Sequence, residues 1–338
     1  MKILVVGAGL SGSVVARELA ELGYRVTIVE KNSHIGGNCY DEVNSFGIRV
    51  HKYGPHLFHT KNKVVFDWLC KFTVWVEYKH KVKALLKNGI CVTLPVNNET
   101  KNIVGEGNIL DIFYRPYTKK MWGIDLEELN PNIIKRVPIR DDNNEYYFPD
   151  DTYQGIPIHG YTKLIENIIS HPNIEVFLST EFNKNMEKNY FHIFNSMPID
   201  QYFNYKNGRL PYRSIIFEEI TLPLPSILPT ATLNFTHNGQ HTRVTEWKKI
   251  PSHGENDYFS TLTFERPCDY LENNEQRFYP INDLAGKNRL LYNSYKSLIS
   301  ENTKVTFIGR LGLYTYIDMD QAVNIALETV KNFIKKTK

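Results

Sequence analysis

Met1-Lys-Ile-Leu-Val-Val-Gly7-Ala8-Gly9-Leu10-Ser11-Gly12 opens the chain, and after a run ending at Gly23 comes Tyr24-Arg-Val-Thr-Ile-Val-Glu30. Ile3 to Val6 is a continuous apolar, β-branched-rich run, the pattern of a parallel strand covered on both faces. Val14, Val15, Leu19 and Leu22 recur at helical spacing, so the run from Ser11 to Leu22 predicts a helix. Gly7 permits the tight turn off the strand. Gly9 lets a pyrophosphate approach the backbone, and Gly12 lets the helix lie close on the sheet. The free N–H groups and positive dipole end of the helix face that anion. Glu30 ends the second strand where a carboxylate can hold a ribose hydroxyl.

Lys31-Asn-Ser-His-Ile-Gly36-Gly37-Asn38 follows directly. A basic residue and then Gly-Gly after the second strand resembles the FAD-binding fold of the glutathione reductase and amine oxidase type. That resemblance implies a bound flavin, with Gly7, Gly9, Leu10, Ser11, Gly12, Glu30, Lys31, Gly37 and Asn38 around it.

At 338 residues the chain can hold one large domain or two to three interlocked ones. A net charge of +3 is too small to argue for nucleic acid or a membrane surface. No apolar run approaches membrane-spanning length. Cys39, Cys70, Cys91 and Cys268 are scattered, so they read as reduced thiols of a cytoplasmic protein, neither metal ligands nor a disulfide frame. The 21 tyrosines and 18 phenylalanines suggest a polar-aromatic cleft.

His51-Lys-Tyr53-Gly54-Pro55-His56-Leu57-Phe58-His59-Thr60 gathers three histidines around a Gly-Pro turn. Thr60 is expected to cap a helix carrying Val65 and Trp68. Tyr78–Leu86 and Ile90–Leu94 flank Asn88-Gly89, the signal of a hairpin with a two-residue turn. Residues 98–135 lack strand alternation and read as helical and loop-like. Lys135-Arg136-Val-Pro-Ile-Arg140 runs into the polar tract 141–148, expected to be mobile. Arg140 at its root is either a solvated charge or an anion clamp on a lid. Strand patterns resume at Ile174–Leu178 and Tyr190–Phe194, and segments between Tyr212 and Glu265 predict an antiparallel sheet. Val305-Thr-Phe-Ile-Gly309-Arg310 is a last strand, followed by a helix from Asp318 to Lys335. The fold class is α/β: a Rossmann-like FAD domain (1–76, 158–208 and 298–338) carrying an inserted antiparallel-sheet domain (77–97, 138–157 and 209–297) and a short helical subdomain (98–137).

Taken in order, these motifs resemble the UDP-galactopyranose mutase family. The Gly7–Gly12 fingerprint, Gly36-Gly37-Asn38 and Tyr53–His59 are joined by Tyr117-Thr-Lys-Lys-Met-Trp122-Gly, Gln154-Gly-Ile-Pro, Gly208-Arg-Leu-Pro-Tyr212-Arg213, Thr242-Arg243-Val-Thr-Glu246, Phe278-Tyr279-Pro and Gly309-Arg310-Leu-Gly-Leu-Tyr-Thr-Tyr316-Ile-Asp318-Met319-Asp320. The resemblance covers nearly the whole chain. It implies a flavin-dependent isomerase that interconverts the pyranose and furanose forms of a nucleotide sugar. Reduced flavin N5 attacks the anomeric carbon, and the reaction is redox-neutral overall.

The same resemblance implies the site. Arg140 and Arg243 clamp the diphosphate, helped by the hydroxyls of Tyr279 and Tyr316. Tyr117 stacks on the base, with Phe113 and Tyr114 beside it, and Trp122 lines the sugar side. Glu265, Asp318 and His59 lie near sugar or flavin, and His56, Arg310 and Met319 near the flavin. The chain departs from the family in a shorter helical insert before Tyr117, in Ile103 where a base-contacting glutamine is usual, in His80 where an asparagine near the sugar is common, and in Met197 in place of a glycine. The base and the sugar therefore stay open: UDP-galactopyranose is the default, with arabinopyranose, deoxyhexose or heptose nucleotides as alternatives. An amine-oxidase-like oxidoreductase is the alternative chemistry. The family's insert often carries its dimer contact, which leaves homodimer formation open.

Overall fold

A computed structural model describes residues 1–131, 137–300 and 303–337. Lys135 and Arg136 of the lid motif lie outside them.

Strand Lys2–Val6 is the centre of a five-stranded parallel sheet, ordered Ile174–Phe177, Arg25–Val29, Lys2–Val6, His192–Asn195, Val305–Phe307. The apolar run at its start is explained by two covered faces. Ile3 and Val5 enter one buried cluster with Val14, Val15, Leu19 and Ile165, while Leu4 and Val6 enter another with Tyr202, Tyr212 and Tyr314. Helix Leu10–Glu21 and the C-terminal helix Met319–Thr337 share the first cluster through Val15, Leu19, Val323, Ala326, Val330 and Phe333. Each of the buried valines, Leu19 and Phe333 contributes about 1.5–3 kcal/mol over its exposed state.

Gly12 is what lets helix and strand meet: a Cβ there would lie 2.1 Å from the Gly7 carbonyl oxygen. The loops leaving Lys2–Val6, Arg25–Val29, His192–Asn195 and Val305–Phe307 all emerge at the carboxyl ends of parallel strands, where α/β sheets bind ligands.

The second sheet has seven strands, ordered Tyr279–Pro280, Tyr212–Leu222, Ser260–Asp269, Arg243–Glu246, Thr232–Phe235, Val82–Leu85, Cys91–Leu94. It is antiparallel as expected except at one join, where Thr232–Phe235 runs parallel to Val82–Leu85. The hairpin is present, but Leu85 faces Cys91 and Leu86 N donates to Ile90 O, so its loop is Lys87-Asn88-Gly89, not a two-residue turn. Gly89 sits at φ +86°, the left-handed residue of a three-residue loop. The hairpin strand begins at Val82 rather than Tyr78, because Trp75–Glu77 pairs instead with Tyr153–Pro157 in a three-stranded sheet that also holds Phe58–Thr60. Residues 98–122 are helical, with α-helices Asn98–Val104 and Arg115–Trp122 joined through a π-helical turn at Leu110–Tyr114.

The cap after His59 is corrected. Asn62, not Thr60, accepts the N–H groups of Val64 and Val65 at the start of helix Lys63–Leu69. Thr60 Oγ1 instead accepts from Asn62 N (3.0 Å) and donates to Asp320 (2.8 Å), tying this strand to the C-terminal helix.

Candidate active site

Tyr53 lines two cavities. The one over the parallel sheet, about 240 Å³, is lined by Gly7, Gly9, Glu30, Lys31, Gly37 and Asn38. Its floor tolerates only glycine: a Cβ on Gly7 would meet Ser196 Oγ at 2.1 Å, and one on Gly37 would meet Gly9 Cα at 3.0 Å. Glu30 is buried and fixes the cradle through both oxygens, which accept from Ala8 N (2.8 Å) and Asn32 N (2.9 Å). Each oxygen keeps a lone pair for a ribose hydroxyl. Leu10 and Ser11 do not line the cavity; they offer the first backbone N–H groups of the helix, which have no partner one turn back.

The other cavity, about 260 Å³, lies between the two sheets. One part of its wall is His56, Arg310, Tyr316, Asp318 and Met319. From the other side come Phe113, Tyr114, Tyr117, Trp122, Arg243, Tyr279, His59 and His80. Arg310 donates to Ile317 O (2.7 Å) and Phe278 O (3.3 Å), which places its guanidinium 5.1 Å and 5.2 Å from the ring centres of Tyr279 and Tyr316. Trp122 closes this aromatic group edge-on, 6.2 Å from Tyr279 and 6.1 Å from Tyr316. Arg213 holds Trp122 from behind, donating to Met121 O and Lys120 O at the end of the Trp122 helix. Burial pushes the hydroxyls of Tyr117 and Tyr279 up, so both stay protonated donors.

Arg243 carries the positive charge of this wall. Burial opposes that charge, but Glu265, Tyr117 and Tyr279 around it more than offset the burial and push its guanidinium further up. Its Nε lies 2.8 Å from Glu265 Oε1, too bent for a hydrogen bond, so the contact is ionic. Glu265 is 1% exposed and does not line the cavity; it sits behind Arg243. Arg140 does not line it either. Its guanidinium is turned onto Asp142 through Nε (3.0 Å) and a second nitrogen, and onto Tyr146 O (3.3 Å).

His59 Nδ1 lies 2.6 Å from Asp151 Oδ2, and Phe148 stacks on its ring at 3.5 Å. His80 is bonded to the Tyr78 hydroxyl at 3.0 Å. Burial, with Arg243 and His59 facing it, pushes His80 down to about 3. Tyr147 and Phe148 of the polar tract, Val82 and Val96 of the hairpin region, and Thr180 and Met197 beside the parallel sheet also line the cavities. Sequence reading missed Tyr147, Phe148, Val82, Val96 and Thr180 as wall residues, because segments distant along the chain deliver them. Among the described residues, no cluster of three or more His, Cys, Asp or Glu side chains could hold a metal, and no helix is long and apolar enough to cross a membrane.

A glycine-lined diphosphate cradle with a buried carboxylate, sharing Tyr53 with an aromatic, arginine-bearing cavity, fits FAD. The fold and the two cavities thus define a protein of the FAD-binding, Rossmann-like class. The chain belongs to the UDP-galactopyranose mutase family: the family model of that description matches residues 112–316. A Rossmann-like NAD(P)-binding domain model matches residues 5–72. A Klebsiella pneumoniae protein named "Probable UDP-galactopyranose mutase" is 35% identical over 98% of this chain and 94% of its own. The dTDP-fucopyranose mutase of Escherichia coli is 33% identical over 100% of this chain and 99% of its own. A crystal structure of reduced UDP-galactopyranose mutase shares the fold, with a TM-score of 0.74 at 17% identity over 99% of this chain and 94% of that one.

Proposed function

We propose that this chain interconverts the pyranose and furanose forms of a nucleoside-diphosphate sugar, UDP-galactopyranose by default. The observation that carries the reading is Arg243, backed by Glu265, on a cavity wall shared with Tyr279, Tyr316 and Arg310. A diphosphate needs a permanent cation and hydroxyl donors, and it must be released and recaptured as the sugar rearranges. Bound reduced FAD supplies the nucleophile for the anomeric carbon. Gly7, Gly9, Glu30, Gly37 and Asn38 hold its adenosine diphosphate end, and His56, Arg310, Asp318 and Met319 border its reactive end. Arg243, Tyr279 and Tyr316 grip the substrate diphosphate, and Arg140 joins them when it leaves Asp142. Phe113, Tyr114 and Tyr117 enclose the base, and Trp122 with His59 and His80 the sugar.

A second reading, the same chemistry on dTDP-fucopyranose, is favoured by the Escherichia coli relative that matches the chain end to end. The sheet with its glycine cradle, the seven-stranded sheet and the helices at 98–131 act as cofactor, clamp and base-binding parts, in a cytoplasmic protein free to form a homodimer. The test is to incubate dithionite-reduced protein with a panel of nucleotide pyranoses, including both of these, and separate products by chromatography. Furanose from at least one is expected; none from any would overturn the proposal.

A further inference from the structure

Changing a six-membered sugar ring into a five-membered one moves a proton. The ring oxygen leaves the anomeric carbon and gains a proton. A second hydroxyl loses its proton as its oxygen closes on the same carbon. One C–O bond breaks, one forms, and no electrons are gained or lost. A residue that carries this proton gives one to the leaving ring oxygen and takes one back from the closing hydroxyl, so it acts first as an acid and then as a base.

Three histidines line the sugar cavity. His56 is fixed as a neutral ring: its Nδ1 donates to Gly54 O (2.8 Å), and its backbone N–H donates to His51 Nδ1 (3.0 Å). Burial, with Arg310 and Arg243 opposing a positive charge, keeps it down at about 4. His80 is pressed lower still by burial and Arg243, and its bonded partner is the Tyr78 hydroxyl. Neither ring suits a transient positive charge.

His59 stands in a different setting. Its Nδ1 faces Asp151 Oδ2 at 2.6 Å. A carboxylate only accepts, so Nδ1 carries a hydrogen and Nε2 is the ring nitrogen left to exchange a proton. The pair is built by the fold. His59 is opposite Gln154 in the strand pair of Phe58–Thr60 with Tyr153–Pro157. The Gln154 amide donates back to Phe148 O (2.7 Å) and Asp151 O (2.8 Å), which fixes the turn that presents both residues. Phe148 then covers one face of the imidazole, 3.5 Å away and 11° from parallel, limiting water on that side.

We propose that Asp151 is a positioning residue that holds His59 in the Nδ1–H form, making His59 Nε2 the carrier of the proton exchanged between the two sugar oxygens. Asp151 contributes as such carboxylates do beneath imidazoles elsewhere, by fixing the tautomer and stabilising the imidazolium without taking the proton itself. The assignment rests on the mutase reading above.

The test uses FAD-loaded, reduced protein with whichever of UDP-galactopyranose or dTDP-fucopyranose the wild type converts. Asp151→Asn should lower kcat about 100-fold while bound FAD and the affinity for the matching nucleoside diphosphate stay within about twofold. Asp151→Glu should recover part of the loss. An unchanged kcat in Asp151→Asn overturns the proposal, and so does an equal loss of kcat and of diphosphate affinity. A wild type that converts neither sugar defeats the mutase reading instead. One measurement needs no variant of Asp151: ¹⁵N NMR of histidine-labelled wild-type holoprotein, with His59 assigned by the signal lost in His59→Gln. A hydrogen on Nδ1 is expected, and a bare Nδ1 in the neutral Nε2–H tautomer would overturn the assignment.

Discussion

Arg243 and Glu265 are cross-strand neighbours, paired in register between strands Arg243–Glu246 and Ser260–Asp269, with Nε and Oε1 2.8 Å apart. The carboxylate is buried and the arginine is about one-quarter exposed on the cavity side. One side of the guanidinium is thus neutralised from within, and the other remains for a substrate anion. Arg243→Ala should abolish most turnover and weaken diphosphate binding by roughly 1.5–3 kcal/mol while leaving bound flavin in place. Absorbance spectra and UDP titration check this; loss of flavin would count against the role.

Glu265→Gln acts on the same pair from behind. It leaves a largely buried guanidinium without its counter-charge, so stability should fall by roughly 2–3 kcal/mol, less than for a fully buried pair because Arg243 reaches solvent. Chemical denaturation of holoprotein measures it. Diphosphate affinity should rise, since the arginine then has only the ligand to face.

Arg140 is turned onto Asp142 and away from the cavity. Asp142→Asn should release it, lowering KM for the sugar nucleotide several-fold, roughly the effect of removing one surface-accessible competing ion pair. Arg140→Ala should cut turnover with flavin retained. If Asp142→Asn leaves KM unchanged in a protein where Arg140→Ala raises it, the aspartate is no competitor.

The glycine cradle has no room to spare. Gly12→Ala places a methyl carbon 2.1 Å from the Gly7 carbonyl oxygen, so the helix must shift off the sheet. The variant should purify with little or no yellow colour. Full flavin occupancy with unchanged stability would contradict the packing described.

How far the sequence could be read follows from how local each feature is. The strand, turn and helix of residues 2–21 depend on neighbours in the chain, so Gly7, Gly9, Gly12 and the buried faces were legible. Glu30 was legible because its partners, Ala8 and Asn32, sit in the same motif. Asn62 was missed as a cap because Thr60 has the same chemistry and lies two residues earlier; the choice is set by Asp320, 260 residues away, which takes the Thr60 hydroxyl. The Asp151 partner of His59 and the withdrawal of Arg140 onto Asp142 depend on loop paths that no spacing rule encodes. Arg243 and Glu265 were both named, but their pairing required the strand register.

Buried imidazoles set the response of stability to pH. His51, His56, His80, His192 and His253 are all held below the ordinary 6.5, chiefly by burial; His51 lies well below it, His80 near 3 and the other three near 4. As pH falls through 6.5 the unfolded chain takes up protons that the folded chain refuses until about 4. Folding stability should therefore be full above 6.5 and fall across that window, by up to about 1.4 kcal/mol per pH unit for each imidazole. The His51–His253 contact, Nε2 to Nε2 at 2.8 Å, requires at least one neutral ring. Denaturation curves of holoprotein at a series of pH values test this. Equal stability at about pH 7 and about pH 5 would contradict it.

The most direct test of the central claim counts turnovers against electrons. Holoprotein is reduced once with a measured amount of dithionite, kept anaerobic, and given excess UDP-galactopyranose or dTDP-fucopyranose. A redox-neutral mutase built on this clamp should form many furanose molecules per flavin, with the flavin still reduced at the end and the oxidised holoprotein inactive. Product limited to about one molecule per flavin, with the flavin left oxidised, would instead show an oxidoreductase on this fold and contradict the account.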